Sequence, residues 1–171
     1  MDKGEIIQSF PPLVAADSEI LFLGSAPSVL SRRNNFFYGN PTNRFWWLLS
    51  ELYHVDFVHA DIAGKTALLR QHKIGLSDVY ASCRMKKAGS SLDSNITDYV
   101  FNDILHIIAG TKIKRIFITS KKAYHDFIKH WQTQLPAHIT VISLPSPSSA
   151  NRSIYKFDAD LLAAWRAIIL A

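Results

Sequence analysis

The chain has one cysteine, Cys83, in 171 residues. A single thiol excludes an intrachain disulfide framework and a cysteine-built metal centre, and it fits a reducing cytoplasm. No apolar run approaches the ~18 residues that read as a membrane span. The start, MDKGEIIQSFPPL, carries acidic residues and no apolar core, so it does not read as a signal peptide. There is no HExxH, no P-loop and no GxGxxG, and no metal, nucleotide triphosphate, dinucleotide or other cofactor is expected. The histidines are scattered, and His125 and His130 are wrongly spaced on one expected helix to share a metal. Repeats, low-complexity tracts and linker-like stretches are also missing, so residues 1–171 are expected to form one domain. Acidic residues are the scarcer charge, 14 against 19 lysines and arginines, for a formal net charge of +5. That excess favours a polyanionic partner. Arg32, Arg33, Arg44, Arg84, Lys86, Lys87, Arg152 and Lys156 all fall in or beside expected loops, with few acids among them.

Hydrophobic residues make up 48% of the chain, which places it among folded globular proteins. Apolar runs at 19–24 (EILFLG), 74–79 (IGLSDV), 115–119 (RIFIT) and 138–144 predict four strands. Helical spacing appears in the segment after Thr42, an expected cap, through Phe45, Leu48, Leu49, Leu52 and Tyr53. It recurs at 63–72, 98–109, 121–135 and 157–170. Residues 80–95 read as a long basic loop. Strands alternating with helices predict an α/β fold, a three-layer α/β/α sandwich around a central four-stranded, mostly parallel sheet. The loops after the first, second and fourth strands then converge on one edge, where open α/β sheets bind ligands.

Two of those loops have unusual compositions. LPSPSSAN, residues 144–151, follows the fourth strand. Its two prolines stiffen the backbone, and Ser146, Ser148 and Ser149 offer small donors that approach a phosphate closely. The loop after the first strand is GSAPSVLSRRNNFFYGNPTNRFW, residues 24–46. A loop of about seventeen residues before the helix is long for a compact domain, and loops of that length are usually functional. Phe36, Phe37 and Tyr38 are adjacent, so they cannot all point inward, and at least one is expected to line a pocket. An aromatic there can stack on a nucleobase. Asn43 opens the following helix; its amide can read a base edge or satisfy free backbone groups. Asp78 and Asp93 are each able to orient a water, cap a turn or pair with a lysine. Cys83 reads as a small packed residue.

GSAPS, FFYGNPTNRFW, GLSDVYASC with SSLDSNI, and LPSPSSAN, taken in order, resemble the uracil-DNA glycosylase superfamily, most closely its hypoxanthine-DNA (deoxyinosine) glycosylase branch. The resemblance covers nearly all of the chain. It implies a four-stranded parallel sheet with flanking helices. It also implies a monofunctional DNA repair enzyme without a cofactor, which hydrolyses the N-glycosidic bond of a flipped, deaminated base. Hypoxanthine is the expected base and uracil the alternative. By this resemblance Gly24, Ser25, Ala26, Pro27, Phe37, Tyr38 and Asn43 form the base pocket, with Tyr38 stacking on the base. Asn43 is the main catalytic or base-reading residue; apart from the resemblance, Asp78 or Asp93 is the candidate by residue type for orienting the water. Ser28, Arg44, Ser146, Ser148, Ser149, Asn151 and Arg152 hold the DNA backbone and wedge the strands apart. The expected partner is DNA containing a deaminated base, bound by a monomer, with no membrane involved. Two departures stand out. Ala26 occupies the place where other branches carry an asparagine (GINPG) or an aspartate (GQDPYH). Pro147 and Ser149 replace the threonine and proline of LPSTSPAN. Two other classes fit the residues: a DNA-binding member of the fold that lacks chemistry, and a small-molecule or nucleotide-binding enzyme on a flavodoxin-like sheet.

Overall fold

A computed structural model describes residues 5–171; the first four residues of the segment read as lacking a signal peptide lie outside them. The central sheet is built from β2 (Ile20–Gly24), β3 (Ile74–Asp78), β6 (Arg115–Ile118) and β7 (Thr140–Ser143). Its order is β3-β2-β6-β7 and every pairing is parallel. The two middle strands read as continuous apolar runs because both of their faces are covered. Alternate side chains then sort the core. Phe22 and Phe117 join Phe45, Leu48, Leu49, Leu69, Leu161 and Trp165 on one face. Leu21, Leu23, Ile116 and Ile118 join Ile104, Phe127 and Trp131 on the other.

The first face is covered by α2 (Phe45–Tyr53), α3 (Ile62–Gln71) and α6 (Asp158–Ile169), the second by α4 (Ile104–Ile108) and α5 (Lys121–Trp131). This is the expected three-layer arrangement. In α5 the buried residues are Ala123, Phe127 and Trp131, one per turn, and Ser120 caps its start by accepting from the Ala123 N–H. Thr42 is not a cap: Arg44 holds the N-cap position of α2 without a side-chain cap bond, and Asn43 Oδ1 accepts from the Phe45 N–H instead.

Two segments differ from the sequence expectation. Residues 80–95 are not all loop, because Tyr80–Met85 is a strand, β4. Residues 98–109 are not one helix. Ile96–Phe101 is a strand, β5, and only Ile104–Ile108 is helical. β4 lies between β5 and a short β1 (Ile7–Gln8) in a second, antiparallel sheet. The helical spacing of Val100, Ile104, Ile107 and Ile108 hid this. The ITDYVF run is rich in β-branched and aromatic residues, which suit a pleated surface beside β4. Asp103 caps α4 by accepting from the His106 N–H and so sets where the helix begins. The 24–46 loop also holds a short helix, α1 (Val29–Arg33), capped by Ser28.

Candidate active site

All four parallel strands point their carboxyl ends the same way, and the segments leaving three of them, with the loop after β4, border a cleft of about 350 Å³. Ser25, Ala26 and Ser28 come from the loop after β2, Asn40 and Asn43 from the approach to α2, and Ser91–Ser94 from the loop after β4. Thr119–Lys122 come from the end of β6, and Ser146, Pro147, Ser148, Ala150 and Asn151 from the loop after β7. The wall is mainly hydroxyls and amides, with Lys121 and Lys122 as cations and, among the described residues, Asp93 as its one carboxylate.

Gly24 ends β2 with no room to spare. A Cβ there would stand 2.7 Å from Asp78 Oδ1 and 3.4 Å from the Tyr38 hydroxyl, so glycine is required by close approach. Pro27 is buried and does not border the cleft. Phe37 is in the hydrophobic core, edge-on to Phe10 with ring centroids 5.2 Å apart, and does not enter the cleft. The expectation that it lines the base pocket is therefore corrected. Tyr38 is half-buried, at φ +51°, and one of its faces stacks on Phe45 at 3.8 Å. Its hydroxyl lies 2.9 Å from Thr119 Oγ1, and burial holds the phenol protonated well above its ordinary range. Tyr38 borders a second, largely apolar cavity of about 390 Å³, along with Phe36, Trp46 and Trp47. Asn40 and Asn43 border both cavities.

Asn43 is engaged at one end only. Its Oδ1 takes the Phe45 N–H at 2.9 Å, which fixes the amide and leaves Nδ2, a donor, on a residue that borders both cavities. Arg44 points the opposite way to what was expected. It is 4% exposed, with Nε 3.4 Å from the Pro147 carbonyl and Nη2 3.4 Å from that of Ser148. Nη1 donates to the Tyr155 carbonyl at 2.8 Å and to Asp158 Oδ1 at 3.3 Å. With four of its five N–H donors spent on these acceptors and the side chain buried, Arg44 is not placed to hold a phosphate, and its assignment to the DNA backbone is corrected. It braces the serine–proline loop from inside.

That loop is otherwise held by its own polar groups. Ser146 Oγ accepts from the Ser148 N–H, Ser148 Oγ from the Ala150 N–H, and Asn151 Nδ2 donates to the Ser146 carbonyl. Ser149 lies outside the cleft wall, its hydroxyl 3.1 Å from that of Thr42. Arg152 is exposed and shares Asp158 with Arg44.

The two aspartates separate. Asp78 is buried behind Gly24, accepts from Ser9 Oγ at 2.9 Å, and does not border the cleft. Burial pushes its pKa up to about 7; the Ser9 hydroxyl opposes this and the charge of Asp93 adds to it. A carboxyl raised in the fold above its unfolded value binds a proton that the unfolded chain releases from about pH 4 upward. Stability from this group is therefore lost as pH rises from about 4 to about 7. Melting temperatures across that range should fall more steeply for the wild type than for Asp78→Asn. Parallel slopes would show that Asp78 does not titrate there. Cys83 is buried and its thiol is pushed up to about 11 by burial and by Asp78 and Asp93, as suits a packed residue rather than a nucleophile.

The cleft also holds residues that no sequence expectation included: Asn40, Ser91, Thr119, Ser120, Lys121 and Lys122. Four of these follow β6 directly, where the strand runs into α5 with no loop whose length would attract notice. The available signal was position alone, the carboxyl end of a central strand.

Comparison with known proteins agrees with this geometry. Residues 11–169 match the family described as the Uracil DNA glycosylase superfamily. A protein of Methanosarcina barkeri named Hypoxanthine DNA glycosylase is 35% identical over 155 residues, covering 87% of this chain and 90% of that one. A Methanosarcina acetivorans protein of the same name is 32% identical over 171 residues, covering 95% and 98%. The fold is similar to a solution NMR structure of a candidate uracil DNA glycosylase from Methanosarcina acetivorans, with TM-score 0.77 and 30% identity over 96% of each chain. A polar cleft at the carboxyl ends of a β3-β2-β6-β7 sheet, and a match that runs almost from end to end, place this chain in the uracil DNA glycosylase superfamily.

Proposed function

We propose that the protein is a monofunctional DNA glycosylase that hydrolyses the N-glycosidic bond of a deaminated base, hypoxanthine before uracil, extruded from DNA. The reading rests on one observation beyond the family: Asn43 presents an unengaged amide donor where a polar cleft meets an aromatic-walled cavity. A base inside a duplex is out of reach of any such donor, so the nucleotide must leave the stack, at a cost of a few kcal/mol. The free face of Tyr38 stacks on the extruded base, its other face being supported by Phe45. The polar cleft takes the sugar and its phosphates. Ser146, Ser148 and Ala150–Asn151 lie along the strand, held in shape by Arg44 from behind. Lys121 and the exposed Arg152 add charge that holds phosphates without reading sequence.

As the bond from C1′ to the base breaks, its electron pair leaves with the base and positive charge appears on the sugar. A donor aimed at the base edge stabilises the leaving anion, and Asn43 Nδ2 is that donor. The donor favours a base rich in acceptors, which suits both hypoxanthine and uracil.

The test is a set of duplexes carrying a single deoxyinosine, deoxyuridine or deoxyxanthosine, incubated with the protein and then treated with alkali. Strand cleavage is expected at deoxyinosine first. Salt-sensitive binding with no cleavage on any duplex would favour a DNA-binding member of the fold without chemistry.

A further inference from the structure

We infer that Asp93 supplies the carboxylate of the reaction, holding the attacking water and facing the cationic sugar. The inference rests on the glycosylase reading above and adds a residue to it.

Among the described residues, Asp93 is the only acid on the cleft wall. It starts a short 3₁₀ turn, Asp93–Asn95, far along the chain from the first loop. Yet its two oxygens are clamped across the middle of the sheet. Ser25 Oγ, just past β2, donates to Oδ1 at 2.6 Å, and Ser120 Oγ, just past β6, donates to Oδ2 at 2.5 Å. Ser120 is itself fixed as the cap of α5. Hydroxyls position a carboxylate without cancelling its charge, and each oxygen keeps acceptor capacity for a further bond. Directly after β2 the cleft wall offers no acid or amide of its own, because Ser25 is followed there by Ala26. Asp78, the other candidate, is sealed behind Gly24.

The step balances with water alone. The C1′–N bond breaks and the base departs with the electron pair. A water hydrogen-bonded to Asp93 adds its oxygen to C1′. Its proton passes to the carboxylate and then to solvent, while the base anion takes a proton from solvent. The products are the free base and an abasic sugar. Until water adds, the negative carboxylate also stabilises the oxocarbenium charge.

Asp93→Asn keeps the shape and removes the charge; one serine hydroxyl goes on donating to the amide oxygen and the other must turn to accept from the amide nitrogen. Three quantities separate charge from bracing: the single-turnover rate on a deoxyinosine duplex, the melting temperature, and relative affinity for two abasic duplexes. One of these carries a neutral tetrahydrofuran and the other a cationic pyrrolidine in place of the sugar. We expect the rate to fall about 100-fold or more, in line with loss of a positioned base. Affinity for the tetrahydrofuran duplex and the melting temperature should stay near wild type. The preference for the pyrrolidine duplex should drop by about tenfold, as loss of one opposed charge predicts. If the wild type cleaves deoxyinosine and Asp93→Asn cleaves it at a similar rate, the assignment of Asp93 is wrong and the glycosylase reading stands. A slower variant whose pyrrolidine preference is unchanged would make Asp93 a brace between loops and overturn the proposal. If the wild type cleaves none of the deaminated duplexes, the glycosylase reading itself falls.

Discussion

Asn43→Asp should remove most of the base release while leaving the fold in place. The substitution separates the two jobs of one side chain. The oxygen that accepts the Phe45 N–H is kept, so the start of α2 stays capped. The Nδ2 donor is replaced by an oxygen that repels the negative charge developing on the leaving base. Loss of one such donor typically costs about 10²–10³-fold in rate. That factor should appear in single-turnover cleavage of a deoxyinosine duplex at saturating enzyme, with the melting temperature nearly unchanged. Asn43→Ala removes both functions. It should lose a similar factor in rate and in addition about 1 kcal/mol of capping, or about 2–4 °C in a chain of this size. The comparison decides between two readings of the residue. Asn43→Asp with near wild-type cleavage would leave Asn43 as a helix-start residue and nothing more.

Arg44→Ala should have the largest effect on stability. Arg44 is buried, and its three donor nitrogens reach the carbonyls of Pro147, Ser148 and Tyr155 and the carboxylate of Asp158. Truncation strips the Tyr155 carbonyl of its donor, while the Pro147 and Ser148 carbonyls keep the backbone N–H groups of Arg44 and Asn151. A buried acceptor left unpaired costs about 1–3 kcal/mol, and breaking a buried charged network typically costs about 3–5 kcal/mol. Asp158 is half exposed, so its part of the network is screened by water and the lower end applies. A loss of about 3 kcal/mol lowers the melting temperature by about 6–12 °C. Arg44→Lys should recover only part of this, because one ammonium cannot reproduce a planar fork across four acceptors. Arg152→Ala is the control: its pair with the same carboxylate is exposed, and less than about 1 kcal/mol is expected. If Arg44→Ala melts with the wild type, the loop is held by the Arg44 N–H to Pro147 carbonyl bond and its own turns alone.

Much of the sheet was legible in the residues. The runs ILFLG and RIFI are apolar on both faces because they are the middle strands, and a continuous apolar run bounded by small residues has few other uses. The order of the four motifs was legible in the same way, and with it the family. The small antiparallel sheet was not. In β5 only Ile96 is buried, Tyr99 and Val100 face outward, and no alternation marks it as a strand. Its pairing with β4 is a contact between segments, and a pattern within one segment does not carry it.

The sequence by itself determined the layered α/β fold, the convergence of the small-residue loops at one sheet edge and the membership that follows from them. These depend on periodicity and composition, which are local. Only the tertiary structure decided which way each side chain faces. It sent Phe37 into the core and Tyr38 toward Thr119, although the two are adjacent. It turned Arg44 inward to hold a loop 103 residues away at Pro147. It sealed Asp78 at the end of β3 and brought Asp93 across 68 residues to Ser25. Side-chain direction is set by the packing and hydrogen bonding of segments remote in the chain. A motif can therefore mark the loop that carries a residue while leaving its partner to the fold.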